Sequence, residues 1–297
     1  MSEEQATELS VQLWTVREQL SHDSEATLRA LGAIGYRQIE LMDVCGTRDL
    51  LPVVRDLGLV VRSAFFDWNT VLRLSGTGPV GAGRPEVIRA DRDGFLRTLE
   101  AALEWGVRYL VFGYLRPDQR GAADDYRRLA ACLNLAGELA AKAGIELNYH
   151  NHAFEFQSLA DGLTPMDILV ARLDPQWVRF ELDIFWCQMG GRDALDLLRS
   201  IRGRVAQIHL KDGRLEAAPC YDESSSQCWQ VCELGQGGMD IAAVVTESVR
   251  QGIEQFHVEQ DWSDDPLKSL AESLRFWRRL VDLNLIFDAH DSVHATG

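Results

Sequence analysis

The chain has 297 residues, of which 46% are hydrophobic and 25% charged, the composition of an ordinary globular protein with apolar material for a large core. Thirty Lys and Arg against 45 Asp and Glu give a formal net charge of -15, which excludes nucleic acid and anionic membrane surfaces as expected partners. A small neutral substrate or a bound cation stays compatible with that charge.

The opening MSEEQATELS has neither a basic n-region nor an apolar h-region, so no signal peptide is expected. No run approaches the ~20 apolar residues of a bilayer span. Six cysteines (Cys45, Cys132, Cys187, Cys220, Cys228, Cys232) lack CxxC spacing and read as free thiols. The expected compartment is the cytoplasm.

From Leu9, LSVQLWTVRE alternates Val11 and Leu13 with Ser10, Gln12 and Trp14, the pattern of a strand. A helix over 24–31 stops at Gly32. YRQIELMDV sets Ile39 and Leu41 against Gln38 and Glu40, and LVVRSAFF is a third strand. A glycine- and proline-rich loop over 75–85 leads to an amphipathic helix over 91–105 and a fourth strand, VRYLVFGY. A helix over 122–143 ends at Gly144, and IELNYHNHAFEF opens as the fifth strand. Helices over 165–171 and 194–201 precede the sixth strand, WVRFELDIFW, and the seventh, VAQIHLKD. The polar stretch 213–238 is long for a plain connection and is expected to cover the site as a mobile lid. A helix over 241–251, the eighth strand EQFHVEQD and a helix over 266–283 complete the series. Eight strands alternating with helices predict an α/β protein, a (β/α)8 TIM barrel, as one domain over 1–287 with a loose tail over 288–297.

Strands covered by helices usually read as continuous apolar runs, but here one face of each is polar. The fifth offers Glu146, Asn148 and His150; the sixth Arg179, Glu181 and Asp183; the seventh Gln207, His209 and Lys211; the eighth Gln255, His257 and Glu259. With helices outside, these faces must point into the barrel, where such groups are costly unless paired or bound to something. Arg179 with Glu181 reads as a structural ion pair. Active sites of such barrels lie where the strands end, and Glu40, His150, Asp183, His209, Lys211 and Glu259 are strand-terminal. Histidines and carboxylates converging on one point suit a divalent ion; mixed N and O donors without thiolate fit manganese, cobalt, iron or zinc.

YHNHAFEF, ELDIFW followed by GGRD, HLKD, and ELGQGGMD with HVEQD, in this order and at barrel spacing, resemble the xylose isomerase-like superfamily, in particular its sugar phosphate isomerase/epimerase branch. The resemblance implies one divalent metal ion, manganese or cobalt ahead of magnesium, iron or zinc, held by Glu, Asp, His and Glu from strands five to eight. Asp183, His209 and Glu259 match three of these positions. The strand-five glutamate aligns with Asn148, and His150, two residues on, is expected to reach the ion instead. Glu155 resembles a residue that holds a substrate hydroxyl, Trp186 would wall the sugar ring, and Glu40 and Trp14 are read as further substrate contacts. The implied chemistry is proton abstraction beside a carbonyl, with Glu259 as base, His150 or His152 on the opposite face, and Lys211 steadying the oxyanion. Isomerisation or epimerisation of a sugar or polyol ketone is expected. A lyase or dehydratase acting on a keto-polyol or 3-keto-glycoside is the alternative, and a non-catalytic sugar-binding role the alternative of another class. No GxxxxGK[ST], GxGxxG or GxSxG is present, and turn-making explains ELGQGGMD better than phosphate capture. Homo-oligomerisation is left open by the sequence.

Overall fold

The computed structural model describes residues 8–72, 74, 85–215, 218–225 and 230–282. Of the expected 75–85 loop it describes only Pro85, the first residue of a helix that runs to Trp105, and the expected tail over 288–297 lies outside the described residues.

The eight expected strands are all present: Leu9–Gln12, Gln38–Leu41, Val60–Phe65, Tyr109–Phe112, Glu146–His150, Val178–Asp183, Val205–Leu210 and Gln255–Val258. They close into one parallel barrel in which each strand pairs with its sequence neighbours and the first pairs with the eighth. Between them run helices whose buried stripes recur at helical spacing. In Ala123–Lys142, for example, Tyr126, Leu129, Ala130, Leu133, Ala136 and Ala140 face inward. The outward strand residues that meet them, among them Ile39, Leu147, Phe180, Leu182, Ile208 and Phe256, are buried and apolar. The polar faces therefore fill the barrel, as the alternation requires.

Two expected strands stop early, and each stop serves the site. Past Gln12 the chain turns into a short 3-10 helix, Leu13–Val16, because the Gln12 side chain accepts the Trp14 N–H at 3.1 Å. Trp14 therefore leaves the inward face on which it was expected and stands 45% exposed. The sixth strand ends at Asp183, whose carboxylate accepts the Trp186 N–H at 2.8 Å and caps the helix Ile184–Met189.

The lower layers of the interior pair differently from the sequence-based expectation. Arg179 forms its bidentate ion pair with Glu146, at 2.7 and 2.6 Å, and not with Glu181. Above them, Gln207 donates to Asn148 at 2.8 Å and Ser63 at 3.1 Å, while its oxygen meets His257 Nε2 at 3.0 Å. This satisfied amide layer leaves Glu181 free to serve the layer above.

Candidate metal centre

The top layer gathers four side chains from the ends of strands five to eight. His150, Asp183, His209 and Glu259 are all buried and each offers one ligand atom, the four atoms lying within 4.8 Å of one another. Strand register explains the convergence: Asp183 lies opposite His209, and Glu259 immediately follows the eighth strand, its N–H bound to Leu210 O at 3.2 Å. Asn148 sits one layer lower, donating to Glu146 at 3.0 Å and accepting from Gln207, so His150 is the fifth-strand residue of the group.

The nitrogens that face away from the group are held by carboxylates. His150 Nδ1 lies 3.0 Å from Glu181 Oε2, and His209 Nε2 lies 2.7 Å from Glu40 Oε2 and 3.2 Å from Glu181 Oε2. The opposite nitrogens point inward: His150 Nε2 is 4.0 Å from Asp183 Oδ2, and His209 Nδ1 is 3.0 Å from Glu259 Oε2. A carboxylate behind each imidazole fixes the ring and is the support that metal-ligating histidines ordinarily have. Two imidazoles, two carboxylates and this backing are a donor set that could hold a divalent ion.

The electrostatics divide the two rings. Burial and the charge of His209 push the His150 pKa well below its ordinary value, leaving a neutral imidazole. Burial opposes charge on His209 too, but Glu181 and Glu40 overcome it and raise its pKa well above the ordinary value. Glu181 is itself pushed well up by burial and by the neighbouring Glu40 carboxylate. Asp183 is raised to about 6 because burial outweighs the pull of Lys211. At Glu259 burial loses to Lys211 and His209, which hold the carboxyl well below the usual range. Lys211 stays charged despite burial, its Nζ lying 2.9 Å from Glu259, 2.9 Å from Asp261 and 3.3 Å from Asp183.

A cavity of about 460 Å³ opens above the group, walled by His150, His152, Trp186, Lys211 and Glu259 and, farther out, by Trp14 and Trp262. Two expected substrate contacts do not reach it. Glu40 is wholly buried beneath His209, where it accepts from Gln12 at 2.7 Å. Glu155 is equally buried, with one oxygen on the Tyr149 hydroxyl at 2.7 Å and the other on the His152 N–H at 2.9 Å, so it anchors the His152 turn and has no oxygen turned toward a sugar. His152 does line the cavity, and its buried Nδ1 finds no hydrogen-bond partner among the described residues.

Four further residues belong to this region. Asp261 continues the inward alternation of Gln255, His257 and Glu259, a signal present in HVEQD. Glu181 shows the same alternation, but its nearest opposite charge along the strand, Arg179, gives a misleading partner. Glu223 and Ser224, from the expected lid, also reach the cavity wall, and Glu223 accepts from the Tyr114 hydroxyl at 2.9 Å; no pattern in the sequence marks them.

The base of that covering segment is fixed by Asp212. Residues Asp212–Gly213 pair with Val231–Cys232, and the Asp212 carboxylate accepts the N–H groups of Gly213, Gly235, Gly237 and Met239 at 2.8 to 3.1 Å. The glycines of ELGQGGMD thus wrap a carboxylate; a Cβ on Gly237 would lie 2.1 Å from Asp212 Oδ1. Residues 216–217 and 226–229 of the expected lid lie outside the described residues. Asp212→Ala removes a charged acceptor whose bonds are worth about 1.5–3 kcal/mol each. It is expected to speed proteolytic cleavage within 213–238 at least tenfold while the barrel stays folded. Cleavage at the parental rate would show that Asp212 does not hold the segment.

The profile of the xylose isomerase-like TIM barrel matches residues 28–280. Inosose dehydratase of Bacillus licheniformis is 25% identical over 174 residues, 55% of each chain, and that of Geobacillus thermodenitrificans is 30% identical over 106 residues, covering 35% of this chain and 34% of the other. The chain thus spans about half or less of the length of these curated relatives. Among solved structures, a sugar phosphate isomerase/epimerase from Parabacteroides distasonis superposes with a TM-score of 0.72 at 21% identity, covering 91% of this chain and 97% of that one. An L-ribulose 3-epimerase gives 0.62 at 17% identity, with 96% of both chains covered. Among the described residues no helix is long and apolar enough to cross a membrane. The barrel, its polar interior and the matched profile together establish that the chain belongs to the xylose isomerase-like TIM barrel family.

Proposed function

We propose that the protein is a divalent-metal-dependent sugar isomerase that moves a proton beside a carbonyl, with His150, Asp183, His209 and Glu259 holding the ion. Glu259 carries this reading: its carboxylate belongs both to the ligand group and to the cavity wall, and Lys211 keeps it ionised. When bound, the ion supplies Lewis-acid polarisation of the substrate carbonyl and its neighbouring hydroxyl. Glu259 takes the proton from the carbon beside that carbonyl, the electron pair moves onto the carbonyl oxygen, and the Lys211 ammonium balances the growing negative charge. Returning a proton from Glu259, after exchange with solvent, to the former carbonyl carbon, while the neighbouring hydroxyl's proton passes to the former carbonyl oxygen, completes an isomerisation with one base. Epimerisation needs a protonated acid on the opposite face; His152 stands there as the candidate, but burial and Lys211 push its pKa well down.

Dehydration is the second reading, favoured by the relatives named inosose dehydratase and by the same single base. After proton removal, a hydroxyl on the next carbon would leave as water, carrying a proton from the cavity wall. Glu223, pushed up chiefly by burial, is a group that could hold it.

Turnover of keto sugars by the metal-loaded protein in deuterated water separates these readings. The isomerase returns a product of unchanged composition with deuterium at the reacting carbon; the dehydratase returns a ketone lighter by one water. If neither exchange nor elimination occurs with any keto sugar, both fall and a sugar-binding role replaces them.

A further inference from the structure

Lys211 and Arg17 bring positive charge to the cavity wall, and they are placed differently. Lys211, at the inner end, is ringed by Asp183, Glu259 and Asp261 at 2.9 to 3.3 Å. Arg17, farther out beside Trp14 and Trp262, makes no ion pair among the described residues. In a chain with 45 acidic residues against 30 Lys and Arg, an arginine that lines a cavity without a carboxylate partner calls for a reason.

The contacts of Arg17 decide which of its donors can meet a ligand. Nη1 donates to Trp14 O at 2.9 Å and to Asp261 O at 3.1 Å, which uses both of its protons. Two indoles lie against the guanidinium, whose carbon is 4.5 Å from the Trp14 ring centroid and 5.4 Å from that of Trp262. What remains is the edge formed by Nε and Nη2, which has no hydrogen-bond partner among the described residues. Asp261 does not supply one: its backbone oxygen faces Arg17, whereas its carboxylate lies 2.9 Å from Lys211 Nζ. The same contact sets the distance to the reacting end. Asp261 stands two residues beyond Glu259, a span of at most ~7 Å, comparable with the length of a hexose chain.

We infer that the Arg17 edge binds a carboxylate at the end of the substrate distal to its ketone, so that the protein takes keto sugar acids in preference to neutral keto sugars. Two parallel N–H groups match the two oxygens of a carboxylate, a bidentate pairing that lysine cannot make. A phosphate ester fits less well. It brings up to about two charges and a third oxygen to a wall where Arg17 is the cation with open donors and where Glu259 and Asp261 also lie. A neutral hydroxymethyl group in the same place would leave the guanidinium charge unanswered. This inference rests on the keto-sugar reading of the inner cavity, names a substrate class for it, and is tested by binding alone.

Calorimetric titration of the manganese-loaded full chain with D-fructuronate against D-fructose, and with 5-keto-D-gluconate against L-sorbose, tests the subsite. Within each pair the ketone is kept, and a carboxylate replaces the hydroxymethyl group at the far end. In at least one pair the acid is expected to bind tenfold or more tighter, a difference of about 1.4 kcal/mol. Arg17→Gln should bring that ratio close to one, and Arg17→Lys, which keeps the charge without the fork, should retain only part of it. Equal affinities in both pairs, or absence of binding by all four compounds, overturns the subsite. So does an acid advantage undiminished in both variants, which would put the carboxylate on the metal ion. D-fructose 6-phosphate binding more tightly than D-fructuronate, with the same dependence on Arg17, would replace the carboxylate by a phosphate and overturn the inference as stated. An acid advantage in a protein that transforms no keto sugar would keep the subsite and sink the enzymatic reading. Turnover of neutral keto sugars without any acid advantage would do the reverse.

Discussion

Replacing His209 with alanine is expected to weaken divalent-metal binding roughly a hundred- to a thousandfold, if four ligands share the ~10–16 kcal/mol typical of a structural zinc site. Activity should fall with the metal. The size of the effect follows from position: Nδ1 faces Glu259 while Nε2 is held by Glu40 and Glu181, so no neighbour can take the place of the lost nitrogen. Glu181→Gln is the milder comparison. It alters only the support behind the two imidazoles and should cost 10–100-fold in affinity. Acidity gives an independent check with a defined sign. Asp183, raised to about 6, must be ionised to bind a cation, so affinity should decline as the pH falls through about 6. His209 holds a proton without metal, so binding near neutrality should release it, visible as a dependence of the binding heat on the buffer. Unchanged metal content in His209→Ala by elemental analysis would place the ion elsewhere.

The barrel was legible because period-two alternation survives on strands that helices cover, and only an interior filled with polar groups explains that. The four residues of the candidate centre were legible for the same reason, since each ends a strand on its inward face. What the sequence does not contain is the stagger between neighbouring strands. The pairing of strands six and seven shifts between Phe180 and Glu181, lifting Glu181 to the histidines while Arg179 stays below with Glu146. Depth is equally hidden. Glu40 and Glu155 have the chemistry of substrate contacts, but the packing places both beneath the cavity surface. Trp14 departs from the pattern in the opposite sense: one hydrogen bond from its own N–H to Gln12 ends the strand and swings the indole off the inward face to the outer cavity wall.

Lys211→Met is expected to act with opposite signs on the metal-free and metal-bound protein. Met is close in size and keeps the contact with Trp186, whose ring centroid lies 5.0 Å from Nζ. What disappears is the cation that faces Asp183, Glu259 and Asp261 at 2.9 to 3.3 Å. Breaking a buried ion pair from one side typically costs about 3–5 kcal/mol, because the remaining charge is uncompensated. In the parent protein the depressed pKa of Glu259 contributes stability that is present above its unfolded value and lost as the pH falls. Without Lys211 that contribution shrinks, and the raised values of Asp183 and Asp261 rise further, which penalises the folded state most where these groups are ionised. The stability deficit of the metal-free variant should therefore be largest at alkaline pH and narrow on acidification. A divalent ion would replace the missing charge, so the variant should bind metal more tightly than the parent and recover much of its lost melting temperature. Catalysis should not recover: loss of the group that balances the oxyanion is expected to lower kcat by about 10²–10³. Melting curves from pH 5 to 8, with chelator and with manganese, read both signs. If metal affinity drops together with kcat, Lys211 shapes the ligand group and the charge-balancing role is wrong.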